Sequence, residues 1–227
     1  MATKDTSSPR RTWLVPALLI LLSAVPVLAG GFRLGELGGG APVTPDNARF
    51  FDSPLPVVLH IVSASPYCVL GAFQFSASLR RRRPGWHRAS GRLLVPLGLL
   101  AALTGLWMTL FYATPAPDGV LLMVLRLVFG SAMAAALVLG FAAVRRRDIA
   151  GHRAWMIRGY AIGQGAGTQV FTHLPWTLLL GEPGELSRAV LMGAGWVINV
   201  VVAEWVIRRL ARRSAHSPSA PRPEVAR

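Results

Sequence analysis

Four histidines and a few charged residues set within apolar runs are this chain's candidates for chemistry. His60 and His173 lie near one end of the runs that hold them, while His87 and His152 follow arginine clusters at the other end. Two layers of two imidazoles form the minimum pattern for haem groups carrying electrons across a membrane, because haem iron takes two axial ligands at one depth. On that reading His60, His87, His152 and His173 are axial ligands of haem b, and Arg126 and the loop arginines face its propionates. A plainer reading makes His60 and His173 neutral imidazoles bonded to neighbouring helices. It makes His87 and His152 anchors beside lipid headgroups. Arg126, Arg158 and Glu204 are ionisable groups within apolar runs, where each is costly unless paired. With Gln164 and Gln169 they suggest a small-ligand transporter or sensor. Arg126 is expected to pair with Asp118, Glu182 or Glu185, and Glu204 with Arg208 one helical turn on or with Arg158 at similar depth.

His87 and His152 belong to an internal echo. Arg80 to Arg83 lead into Trp86-His87-Arg88-Ala89, and Arg145 to Arg147 lead into Gly151-His152-Arg153-Ala154. The two sites are 65 residues apart, and each lies between long apolar runs. One reading is a parallel duplication of a helix–basic loop–helix unit. The other is that basic loops of one protein resemble each other. Arg88 and Arg153 are the matching arginines.

The elements that must position these residues are membrane helices. The chain has 227 residues, 52% of them hydrophobic and 15% charged, with a net charge of +14. A soluble domain carries about 25% charged residues. The basic residues occupy short loops and the two tails, so the charge argues for membrane orientation and against nucleic acid. Six apolar runs stand out, at 13–30, 55–79, 93–112, 120–144, 154–180 and 190–207. The loops alternate between basic and acidic, which by the positive-inside rule gives an all-α bundle of six transmembrane helices with both termini cytoplasmic.

The parts are a cytoplasmic segment 1–12, a first helix 13–30, an outer Gly/Pro-rich loop 31–54 expected to be irregular, a five-helix core 55–207, and a basic tail 208–227 expected to be disordered. Run one has a rival reading as a cleaved signal peptide, since Arg10 and Arg11 precede it and Val27-Leu28-Ala29 ends it. The bilayer is the expected partner, with anionic phospholipid headgroups at the cytoplasmic arginines; the oligomeric state is open. Cys68, the single cysteine, excludes an internal disulfide. No His-Glu-x-x-His, phosphate loop or dinucleotide fingerprint is present. The glycines from Gly159 to Gly167 lie in an apolar run and suit close helix packing.

Some strings resemble a known family. His60-Ile61, Gly71-x-x-Gln74-Phe75, His87-Arg88-x-x-Gly91-Arg92, Gly105-x-Trp107-Met108 and His152-Arg153-x-Trp155-Met156-Ile157-Arg158-x-Tyr160-Ala161 are similar to those of the domain-of-unknown-function family DUF2306, over roughly residues 50–207. That resemblance implies a multi-pass protein of the bacterial plasma membrane with no assigned activity. It makes His60, His87, Arg88, His152, Arg153, Trp155, Met156 and Arg158 family positions. Many relatives carry an arginine near the end of the fifth helix, where this chain reads Gln169-Val170-Phe171-Thr172-His173. The layout is also similar in architecture to cytochrome b561-like haem bundles, without their closely spaced histidine pairs.

Overall fold

A computed structural model describes residues 9–215, and every regular element among them is helical. The helices are α1 (Pro9–Gly39), α2 (Ala48–Asp52), α3 (Pro54–Ala72), α4 (Ala77–Arg82), α5 (Pro84–Phe111), α6 (Val120–Arg145), α7 (Ile149–Gly163), α8 (Gly165–Leu180) and α9 (Glu185–Ala215). A 3-10 turn, Phe73–Phe75, joins α3 to α4. Five segments are long and apolar enough to cross a bilayer by themselves: Trp13–Gly39, Pro54–Phe75, Pro84–Phe111, Val120–Arg145 and Glu185–Ala215. The protein is therefore an all-α, multi-pass helical bundle.

The fifth apolar run departs from expectation. It is not one helix but two, α7 and α8, which part at Gln164. At about 1.5 Å per residue each half is roughly 22–24 Å long, short of the roughly 30 Å hydrocarbon core. Gly163, Gly165 and Gly167 surround the break, and glycine is among the poorest helix formers. The two halves pack differently: α7 lies against α6 and α9, α8 against α9 and α1.

Two other boundaries move. The segment after residue 30 continues as helix to Gly39, and irregular backbone starts at Gly40, whose positive φ of 67° ends α1. The basic tail begins as helix, since α9 runs on to Ala215. The remainder of that tail, residues 216–227, and residues 1–8 lie outside the described residues.

The turns show why the hairpins close where they do. Pro54 and Pro84 start α3 and α5, where proline gives up no helical hydrogen bond. Arg147 ends α6 in the left-handed region with φ 62°. Its N–H donates to Val144 O, and that of Asp148 donates to Ala143 O, which closes the end of α6. Asp148 then caps α7 by accepting from Gly151 N at 2.8 Å. The echo has a structural counterpart: His87 and His152 are each the fourth residue of their helix, and each donates its backbone N–H to the residue before the helix, Arg83 and Asp148.

Glycines set the closest helix approaches. A Cβ on Gly167 would strike the backbone carbonyl of Leu22 in α1, and a Cβ on Gly71 would strike the ring of Tyr160. Tyr67, Leu94, Met133, Leu137 and Tyr160 make the core between α3, α5, α6 and α7. The contact at Gly167 is backbone against backbone-directed Cβ, so it has little room to relax. Gly167→Val should lower the stability of the purified protein by about 1–3 kcal/mol, read as a drop in thermal midpoint. Gly184→Ala, at a position with open space around it, should leave the midpoint almost unchanged.

Candidate functional site

Within the bundle, α1, α3, α5, α6, the α7–α8 break and α9 enclose a cavity of about 480 Å³. Along α5 it runs from Tyr112 to Ala101, and along α6 from Arg126 to Met133. It reaches the α5–α6 loop at Thr114, Pro115 and Asp118.

Charge is concentrated at the loop end. Asp118 binds two arginines from different helices, Arg126 Nη2 of α6 at 2.7 Å and Arg188 Nε of α9 at 2.5 Å. The Asp118 side chain is only 2% exposed, while those of Arg126 and Arg188 are 28% and 31% exposed. The carboxylate is enclosed and the guanidinium groups remain reachable from outside. Arg49 of α2 also lines the cavity. It lies 4.5 Å over the Phe50 ring and forms no ion pair among the described residues. Burial, and then the charge of Arg33, lowers the Arg49 pKa against the opposing pull of Asp118 and Asp46. Among the residues that line the cavity, three arginines stand against one carboxylate, an excess of two positive charges.

The other end is polar but self-satisfied. Gln164 (3% exposed) and Ser23 of α1 (1% exposed) are hydrogen-bonded at 3.0 Å. Gln164 Nε2 donates to the Tyr160 hydroxyl at 2.7 Å, and that hydroxyl donates to Cys68 O at 2.7 Å. Asn199 Nδ2 donates to Ala161 O and accepts on Oδ1 from Thr168, which ties α9 to both sides of the break. Gln169 Nε2 donates to Met192 O. Of these bonds, that of Asn199 to Ala161 O serves the backbone beside the break, where Gln164 N–H still donates to Tyr160 O; the others satisfy buried polar side chains or tie the break to α3 and α9.

The histidines separate. His60 lines the cavity, with Nδ1 2.9 Å from Ala101 O and 3.2 Å from Thr104 Oγ1. His173 does not line it; Nδ1 lies 2.8 Å from Gln169 O one turn back, and Nε2 is buried with no partner. A carbonyl only accepts, so both rings carry the proton on Nδ1. His152 Nδ1 is likewise bound to Gly140 O of α6 at 2.8 Å. His87 and His152 do come together, close enough to influence each other electrostatically, as Arg80 and Arg153 also do. Burial and then the charge of Arg153 lower the pKa of Arg80. Arg88 and Arg153 are exposed beside them. Among the described residues no group of three or more His, Cys, Asp or Glu gathers to hold a metal. No such feature supports the haem alternative.

Arg158 of α7 and Glu204 of α9 form a two-pronged pair, 2.5 and 3.1 Å, with Arg158 also 4.7 Å over the Trp155 ring. Arg158, and not Arg208, is the hydrogen-bonded partner of Glu204. The pair joins α7 to α9 away from the cavity, so Arg126 and Glu204 do not share a site. Asp118 was legible as a partner for Arg126. The sharing of Asp118 with Arg188 was not, because that contact crosses 70 residues of sequence. Ser23 carried no signal beyond its polarity within an apolar run, and Tyr160 only its place in the string that resembles DUF2306.

The family described as "Predicted membrane protein (DUF2306)" matches residues 57–207. The chain belongs to the DUF2306 family. The matched segment contains Arg126, Asp118, Arg188, His60 and Gln164, whereas α1 and α2, with Ser23 and Arg49, precede it. The cavity is therefore lined both by the matched segment and by residues of α1 and α2 that precede it. No curated protein and no solved structure matches the chain.

Burial alone would raise the Asp118 pKa, but the Arg188 hydrogen bond and the Arg126 charge outweigh it and hold the carboxyl below its ordinary value. The stabilisation is therefore complete above the unfolded-state pKa and is lost as pH falls through the lower folded-state value. Asp118→Asn should cost about 1–3 kcal/mol at neutral pH, scaled down from a fully buried pair because both arginines are partly exposed. The variant should also lose less stability than the parent on acidification below about pH 4. Thermal midpoints across a pH series check both.

Proposed function

We propose that the protein is a small-ligand-binding membrane protein, a transporter or sensor, whose cavity takes an anionic ligand. The carrying observation is the excess of two positive charges, on Arg49, Arg126 and Arg188 against Asp118, around a space of about 480 Å³. Small-molecule sites typically have volumes of about 300–1,000 Å³ and few polar groups amid apolar walls.

The proposal includes a topology. α7 and α8 together make one interrupted crossing, so the bundle spans the membrane six times with both termini cytoplasmic. The arginine-rich α4–α5 and α6–α7 turns and the end of α9 then face the cytoplasm of a bacterial plasma membrane, where Arg88 and Arg153 meet anionic headgroups. The cavity opens to the outer side. Helix α1 stays attached as the first span; the Ser23–Gln164 bond and the seat of Leu22 on Gly167 support its retention.

Cys68 lines the cavity and is the single cysteine, so it reports access without engineering. Two alkyl methanethiosulfonates of similar size, one bearing a sulfonate and one a trimethylammonium group, should label it at different rates. The anionic reagent should be faster, and Arg126→Gln should narrow the difference. Faster labelling by the cation, or a difference in rate that Arg126→Gln leaves unchanged, contradicts the proposal.

A further inference from the structure

We infer that the ligand is an amphiphilic carboxylate, with its head on Arg126 and Arg188 and its apolar body along the shaft between α5 and α6. This deepens the anionic-ligand reading and rests on it.

The two ends of the cavity make different demands. At the inner end the buried amides already have partners: Gln164 bonds Ser23 and Tyr160, and Gln169 bonds Met192 O. A ligand gains nothing by placing a polar group there and would lose its hydration. At the loop end Arg126 and Arg188 share the single carboxylate of Asp118, and Arg49 lines the same space without an ion pair among the described residues. The ligand chemistry that answers both ends is a charged head and an apolar body.

The shaft has room for such a body. From Arg126 to Met133 is seven helical residues, about 10 Å, and from Tyr112 to Ala101 is eleven, about 16 Å. Its walls include Leu106, Met108, Met133 and Trp196. The head is identified by what the arginines already hold. Asp118 shows that Arg126 and Arg188 converge on a carboxylate from two sides. Their partial exposure leaves donors for a second carboxylate beside the first, and Arg49 supplies further positive charge.

Protection of Cys68 from an uncharged thiol reagent separates the possibilities in the full-length protein in detergent. Octanoate should slow labelling; acetate, which lacks the body, and octylamine, which reverses the head, should not. Arg126→Gln and Arg188→Gln should each weaken octanoate protection about tenfold, the scale of one charged hydrogen bond. Arg126→Lys should restore part of it and guards against loss through misfolding. Equal protection by acetate overturns the amphiphile while leaving the anionic-ligand reading intact. Equal protection by octylamine, or octanoate protection unaffected by either arginine variant, overturns the role of the arginines. If the cationic reagent labels Cys68 faster than the anionic one, the parent reading fails first.

Discussion

Inside a bilayer a peptide group that leaves its helix has no water to turn to, and this chain interrupts a helix at Gln164. The backbone at the break keeps bonds of its own, from Gln164 N to Tyr160 O and from Gly167 N and Thr168 N to Gln164 O; the demand that shapes the architecture around the cavity is that of the Gln164 side chain buried there. Ser23 from α1, Tyr160 from α7, Asn199 from α9 and the Cys68 carbonyl of α3 all converge on the break. A buried polar network is stabilising when every member is satisfied and costly when one is not. The break therefore fixes the positions of four helices together. Gly163 and Gly167 complete it by admitting Tyr67 and the Leu22 backbone, which Cβ atoms would exclude.

The same break separates the packing of the two halves of the run. α7 belongs with α6, locked by the Arg147 turn, the Asp148 cap and the His152–Gly140 bond, and is joined to α9 by Arg158–Glu204. α8 belongs with α9 and α1. Space remains between these groups, and its charged end is organised by Asp118, which holds α6 and α9 together at the α5–α6 loop. Structure and proposed recognition thus use the same arginines: Asp118 fixes them, and its single charge leaves them cationic.

Much of this was legible in the sequence. The long apolar runs pointed to the helical bundle, because the bilayer imposes the length of a span. Arg126 announced itself as a charge needing a partner, and Asp118 stood among the expected ones. The echo of His87 and His152 pointed to helix starts that do lie close together. The break at Gln164 was hidden, because glycines in an apolar run read equally as close packing within one helix. The extension of α1 to Gly39 was hidden for the converse reason: a glycine-rich segment looks irregular unless its neighbours hold it helical. The roles of Ser23 and Arg188 depend on contacts far apart in sequence, which composition and periodicity do not encode. The histidines show the limit most clearly. Their depth suggested paired layers, yet His60 faces the cavity and His173 does not, since rotation about the helix axis matters as much as depth.

The central claim is that the arginines around this cavity hold an anionic ligand. Native mass spectrometry of the protein released from gentle detergent tests it most directly. The account predicts a one-to-one adduct that is released as an anion with an apolar body and is depleted in Arg126→Gln. A folded wild-type protein with no adduct after incubation with octanoate, or the same adduct level in Arg126→Gln, would contradict it.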